Sequence, residues 1–189
     1  MLEGPNIILR LFKEDDLDEF FTLRGTYAER GDFEDSGPVP EAERRKQFSE
    51  NGWWSDDLGR MAVTNKDGRL LGVIVFFKGL PFEAGYEVGF VVLRREDRCQ
   101  GIVSEALRIF SAYLFDLKPV PRLQLRTSVD NLAARRVAER CGYQLEGVQR
   151  QVSFARGKYQ DCAQYSLLRD ECPPLAEVLQ AQQSAAKVQ

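Results

Sequence analysis

The stretch A-G-Y-E-V-G-F-V-V-L-R-R-E-D-R-C-Q-G-I-V-S-E-A-L at Ala84–Leu107 decides the fold. Ala84–Leu93 is apolar and β-rich and reads as a strand. From Gly101 to Phe115 the period changes: Ile102, Ala106, Ile109, Phe110 and Leu114 fall on one helical face. Pro119 and Pro121 stop that helix, and Leu123–Ser128 alternates again as a strand. Strand, helix and strand in succession predict one parallel βαβ unit. The joining loop, Arg94–Gln100, is cationic and leads into a helix N-terminus. Unpaired backbone N–H groups and the positive dipole end favour an anion there. Gly101 lets the backbone approach it, and Ser104 adds a hydroxyl. One glycine before a helix is common, so a plain connecting loop is an equal alternative on these residues alone.

Working outward, Asn6–Phe12 reads as a strand and Lys13–Arg24 as a helix burying Leu17, Phe20, Phe21 and Leu23. Gly25–Val39 is a polar loop, and Pro40–Glu50 a short charged helix opened by proline. Arg60–Thr64 and Leu70–Phe77 form a hairpin about Asn65-Lys66-Asp67-Gly68. Asp130–Cys141 is a helix stopped by Gly142. Gln144–Phe154 and Gln160–Leu168 form a second hairpin about Ala155–Lys158. The expected architecture is α/β (α+β): a single mixed, mostly antiparallel twisted sheet of about seven strands with helices on both faces. One domain over residues 1–171 is expected, with a Gln/Ala-rich tail over 172–189 that is mobile or a short surface helix.

The 189 residues contain no histidine. That excludes Ser-His and Cys-His nucleophiles and histidine-ligated metal, and no metal is expected. The four cysteines, Cys99, Cys141, Cys162 and Cys172, lack zinc-knuckle spacing. No membrane span or signal peptide is visible, so a cytoplasmic protein with reduced thiols is expected. The net charge of −3 is uneven: residues 1–60 carry −7 and residues 91–160 carry +6. The basic third is where an anionic ligand is expected, unless the two parts are solvated faces that neutralise each other. Its basic residues are interspersed with acids, which disfavours nucleic acid.

R-C-Q-G-I-V at Arg98–Val103 resembles the R/Q-x-x-G-x-G/A acyl-CoA motif of the GCN5-related N-acetyltransferase (GNAT) family. S-E-A-L at Ser104–Leu107 continues that helix. D-N-L-A-A-R-R-V-A-E-R-C-G-Y at Asp130–Tyr143 resembles the family's Asn-bearing helix. Glu146–Gly147, Gly157–Asp161 and Ser166–Glu171 resemble the RimJ/RimL-like subgroup, and so does the N-I-I-L-R-L-F start. The resemblance implies a sheet split between its fourth strand, Ala84–Leu93, and its fifth, Leu123–Ser128. It implies acetyl-CoA (coenzyme A) as co-substrate in the split. Backbone groups of Val91, Val92 and Leu93 would hold the thioester and pantetheine arm. Backbone N–H groups of Cys99, Gln100, Gly101, Ile102, Val103 and Ser104, with Arg98, would cradle the pyrophosphate, and Asn131 would bond the arm. Val103 stands where the family prefers Gly or Ala.

The implied reaction is acetyl transfer to a primary amine, on a small molecule or a protein N-terminus. Glu87, eleven residues before Arg98, is the expected base, desolvated by Tyr86, Val88 and Phe90. A strand carboxylate paired with an arginine is the structural alternative. The subgroup's serine acid falls at Ala134, its glutamate base at Ser153, and the tyrosine acid of other members at Ala138. Tyr143, Ser153 and Cys141 are lesser candidates, and water is expected to protonate the leaving thiolate. Gly25–Val39, Pro40–Trp54 and Ala155–Tyr159 are expected to wall the acceptor site. Glu29, Asp32, Glu34 and Asp35 would attract a cation or form a solvated loop, and Trp53 and Trp54 would line the pocket or cap the core. A catalytically silent acyl-CoA-binding or sensor protein is the rival reading. A homodimer is the default assembly.

Overall fold

The structure, a computed structural model, describes residues 1–27, 30–34, 37–79 and 83–186, the side chains of 182–186 excepted. Its elements, in order, are β1 (Leu2–Glu3), β2 (Ile7–Leu11), α1 (Asp16–Gly25), α2 (Glu41–Asn51), β3 (Leu58–Asn65), β4 (Leu70–Lys78) and β5 (Tyr86–Val92). There follow α3 (Ile102–Leu117), β6 (Arg122–Ser128), α4 (Leu132–Arg140), β7 (Gln144–Ala155), β8 (Lys158–Leu168) and α5 (Leu175–Ala186). The described strands form one sheet in the order β1-β2-β3-β4-β5-β6-β8-β7. The expected elements are all present. β1 was not foreseen, because two residues are too short to show a period; it pairs Leu2 with Leu9. The expected fourth and fifth strands are therefore β5 and β6.

Neighbouring strands pair antiparallel except β5 and β6, which run parallel and pair only at Tyr86↔Leu123 and Glu87↔Gln124. Gly85, just before β5, has φ +128, and a Cβ there would lie 2.2 Å from the Arg122 carbonyl oxygen. The backbones meet closely at that point, which only glycine permits. Beyond Glu87 the strands diverge, and the sheet opens.

Both faces of the first half are covered, and β3 and β4 show the alternation this requires. Met61, Val63, Leu71, Ile74 and Phe76 pack with Leu107, Ile109, Phe110 and Leu114 of α3. Ala62, Leu70 and Val73 face the other way, onto Leu17 and Phe21 of α1 and onto Trp53. Val178 of α5 is buried in the α3-side core. Trp53 makes edge contacts with Phe12, Phe20, Phe21 and Phe48, and its indole N–H donates to the Arg44 carbonyl (2.8 Å). Trp54 packs on Phe76, 5.2 Å between ring centroids. Both tryptophans therefore cap the core.

Buried Glu105 of α3 pins the start of β2. It accepts from Asn6 N (3.0 Å), Asn6 Nδ2 (2.9 Å) and Ile7 N (3.2 Å). Among the described residues no helix is long and apolar enough to cross a membrane.

Candidate active site

The opening between β5 and β6 is a cleft of about 890 Å³. It is bounded by α3's N-terminal turn, by α4, by residues 31–34 and by the β7–β8 hairpin. Of the residues singled out from the sequence, Glu87, Val91, Val92, Arg98, Cys99, Gln100, Gly101, Ile102, Val103, Ser104 and Asn131 line it. Leu93 does not. It is buried in the core against α1, and its N–H donates to the Leu71 carbonyl (2.9 Å). That bond fixes which edge each β5 residue faces. In the unshifted β4–β5 ladder, Leu93, Val91 and Gly89 turn their main-chain groups to β4. Val92, Phe90 and Val88 turn theirs to the open edge. So of Val91, Val92 and Leu93, only Val92 offers the cleft main-chain hydrogen bonds, and Phe90 joins it.

At one end, α3 begins at Gly101, φ +79, with no side chain capping its N–H groups. Cys99 is also left-handed, φ +62, and left-handed residues of this kind occur in the turns that form anion nests. A Cβ on Gly101 would meet nothing within 4 Å, so the turn is open to the cleft. Arg94 is turned away: it bonds the Leu70 carbonyl (2.7 Å) and pairs with Glu19 of α1. α4 instead brings Arg136 and Arg140, one helical turn apart, to the cleft. They were missed, although their four-residue spacing on a helix was visible. Asn131 caps α4, its Oδ1 accepting from Ala134 N (3.1 Å). These open amides and cations suit a diphosphate, as coenzyme A carries.

At the other end stands Glu87. Arg126 of β6 donates to its Oε2 from Nε (2.8 Å) and Nη2 (2.7 Å). This bond raises the Arg126 pKa, helped by the charges of Glu87 and Glu83 and opposed by desolvation. Glu87 thus has the arginine partner of the structural alternative and also faces the cleft. Tyr86, Val88 and Phe90, its neighbours along the chain, pack their side chains into the α3-side core, while alternation sends the Glu87 side chain to the opposite face of the strand.

Ala134 and Ser153 line the cleft, whereas Ala138 is buried in the core. Tyr143 is buried too, hydrogen-bonded to Ser111 (2.8 Å), and desolvation raises its pKa far above the usual phenol range. The Cys141 thiol approaches the Ser104 carbonyl (3.4 Å), and burial pushes its pKa up to about 11. Neither Tyr143 nor Cys141 lines the cleft. Asp32 and Glu34 do, with Glu34 paired to Arg24. Glu29 and Asp35 lie outside the described residues.

Residues 6–144 match the acetyltransferase (GNAT) domain. The chain is 31% identical over 111 residues to the ribosomal-protein-serine acetyltransferase of Escherichia coli, covering 59% of this chain and 62% of that protein. It is 30% identical over 105 residues to the putative ribosomal N-acetyltransferase YdaF of Bacillus subtilis, covering 56% and 57%. The chain thus spans about three fifths of the length of these two relatives. Its fold is that of the Vibrio cholerae spermidine N-acetyltransferase solved with CoA and spermine: TM-score 0.75, 18% identity, 87% of this chain and 96% of that one. It is also that of RimL, the ribosomal L7/L12 α-N-protein acetyltransferase solved with coenzyme A: TM-score 0.72, 21% identity, coverage 86% and 94%. An open sheet parted beside an uncapped helix start, with a family match across most of its length, leads to one conclusion: this chain belongs to the GNAT N-acetyltransferase family, with a RimJ/RimL-like relation.

Proposed function

We propose that the protein transfers an acetyl group from acetyl-CoA to a primary amine, on a small molecule or a protein N-terminus, by direct transfer in a ternary complex. One observation carries this reading: the β5–β6 opening has an uncapped helix N-terminus at one end and a carboxylate, Glu87, at the other. The amides from Cys99 to Ser104, with Arg98, receive the pyrophosphate, and Asn131 bonds the pantetheine arm. Main-chain groups of Val92 hold that arm as an added strand would, and the Val92 N–H stabilises the oxyanion. Glu87 takes the ammonium proton, directly or through water, so that the neutral amine attacks the thioester carbonyl. A C–N bond forms, the C–S bond breaks, and the second proton lost by the amine nitrogen passes through water to the leaving thiolate. The names of the relatives, which point to ribosomal-protein and spermidine acetylation, support an amine acceptor. Four free cysteines suit the reducing cytoplasm.

The second reading is a silent acyl-CoA sensor, favoured by the Arg126 bonds that occupy Glu87. Free thiol is followed while the protein, acetyl-CoA and a panel of α-amino peptides, polyamines and aminoglycosides are incubated. Thiol release dependent on an amine supports transfer. Thermal stabilisation by coenzyme A without release on any amine assigns the sensor role.

A further inference from the structure

Arg156 ties the β7–β8 hairpin to the segment that follows α1. It sits in the β7–β8 turn at φ +53, followed by Gly157 at φ +76. Two left-handed residues in succession make a tight hairpin turn, whose first position is ordinarily Asn, Asp or Gly. An arginine there bears backbone strain that those residues avoid. Its guanidinium lies 3.9 Å over the Tyr27 ring and donates from Nη2 to the carbonyls of Arg30 (3.2 Å) and Gly31 (3.5 Å). These acceptors follow α1, in the first half of the molecule, 126 and 125 residues away in sequence.

The segment it grips is a small braced unit. Buried Arg30 donates from Nε to the Arg24 carbonyl (2.9 Å), and Glu34 accepts from Gly31 N (2.8 Å) and pairs with Arg24. Gly31, Asp32, Phe33 and Glu34 form one wall of the cleft. What holds Gly31 therefore sets where this wall stands. The grip is also incomplete: among the described residues the buried Arg156 Nε has no hydrogen-bond partner. Opening would return water to that donor and so lower the cost of release.

We propose that Arg156 is a positioning residue for the acceptor: it latches the 30–34 wall to the β7–β8 hairpin, and its release admits the amine and discharges the acetylated product. The positioning role rests on the acetyl-transfer reading; the latch itself does not. With an amine found by the thiol assay, R156A is expected to raise the acceptor KM at least tenfold, leaving kcat and the acetyl-CoA KM within twofold. Y27A is expected to do the same, R156K to fall between, and Y27F, which keeps the ring, to match the wild type. An unchanged acceptor KM in R156A, or an equal rise for both substrates, overturns the positioning role. Hydrogen exchange without substrates tests the latch separately. In R156A the amides of Tyr27 and residues 30–34 are expected to exchange at least tenfold faster while those of β3 to β5 do not change. Unaltered exchange at 30–34 overturns the latch. Should the wild type acetylate no amine, the transfer reading fails, and exchange still decides the latch.

Discussion

Glu87, Glu105 and Asp16 are three carboxylates held by nitrogen donors, and they differ in what their loss would expose. Glu87 faces the cleft, so Glu87→Gln is expected to lower kcat about 100-fold with the acetyl-CoA KM unchanged, measured by steady-state thiol release. Glu105 is buried beneath the start of β2. Glu105→Ala strands the N–H groups of Asn6 and Ile7 and is expected to cost about 3 kcal/mol in urea unfolding. Asp16 works through charge. Burial acts to raise its pKa, but hydrogen bonds from Arg10 and the Lys13 N–H, with the cations' charge, outweigh it and leave the group lowered. Its stabilisation is therefore present above the unfolded carboxylate pKa, about 4, and is lost as pH falls through the lower folded value. An Asp16→Asn variant should show a shallower loss of stability on acidification, measured by urea unfolding at successive pH values below 5.

Among the elements, α3 does two things with one sequence. Its apolar stripe buries Leu107, Ile109, Phe110 and Leu114 against the sheet, while its uncapped start faces the cleft. Such a start is exposed to water or a ligand, and Gly101 makes it by adopting φ +79. Gly101→Ala introduces no clash, so backbone strain of about 1–3 kcal/mol is what remains. Coenzyme A affinity is expected to fall roughly tenfold or more by calorimetry. The β5 strand shows how finely an edge divides: Val92 serves the opening while Leu93, one residue on, serves the sheet.

At the scale of the molecule, the cleft is built from both halves of a sheet joined at only two residue pairs. A ligand filling it binds the folded chain alone and so stabilises it by mass action. Coenzyme A at 100 times its Kd is expected to add about 2.7 kcal/mol, read as a rise in melting temperature. Gly101→Ala should shrink that rise, and Glu87→Gln should leave it intact. A wild-type melting temperature insensitive to millimolar coenzyme A would count against the cleft as its site.

What the sequence determined by itself was whatever depends on near neighbours. The apolar β-rich runs of β3 to β5, the alternation of β6, the helical stripe of α3 and the glycine at its head are local patterns with local causes. They marked the helix start at Arg98 to Ser104 as a place for an anion, whereas the split between β5 and β6 was what the family resemblance implied. Tertiary structure decided the rest, because pairing depends on residues distant along the chain. Arg94 reads only as one charge of a cationic loop until α1 sets Glu19 beside it. Trp53 and Trp54 read as pocket or core until Phe12 and Phe76 pack on them. Arg136 and Arg140 gain meaning only when α4 packs along the cleft. Glu87 acquires its arginine only where β5 and β6 meet, and which groups a folded chain brings within 3 Å is not written in the spacing of either partner.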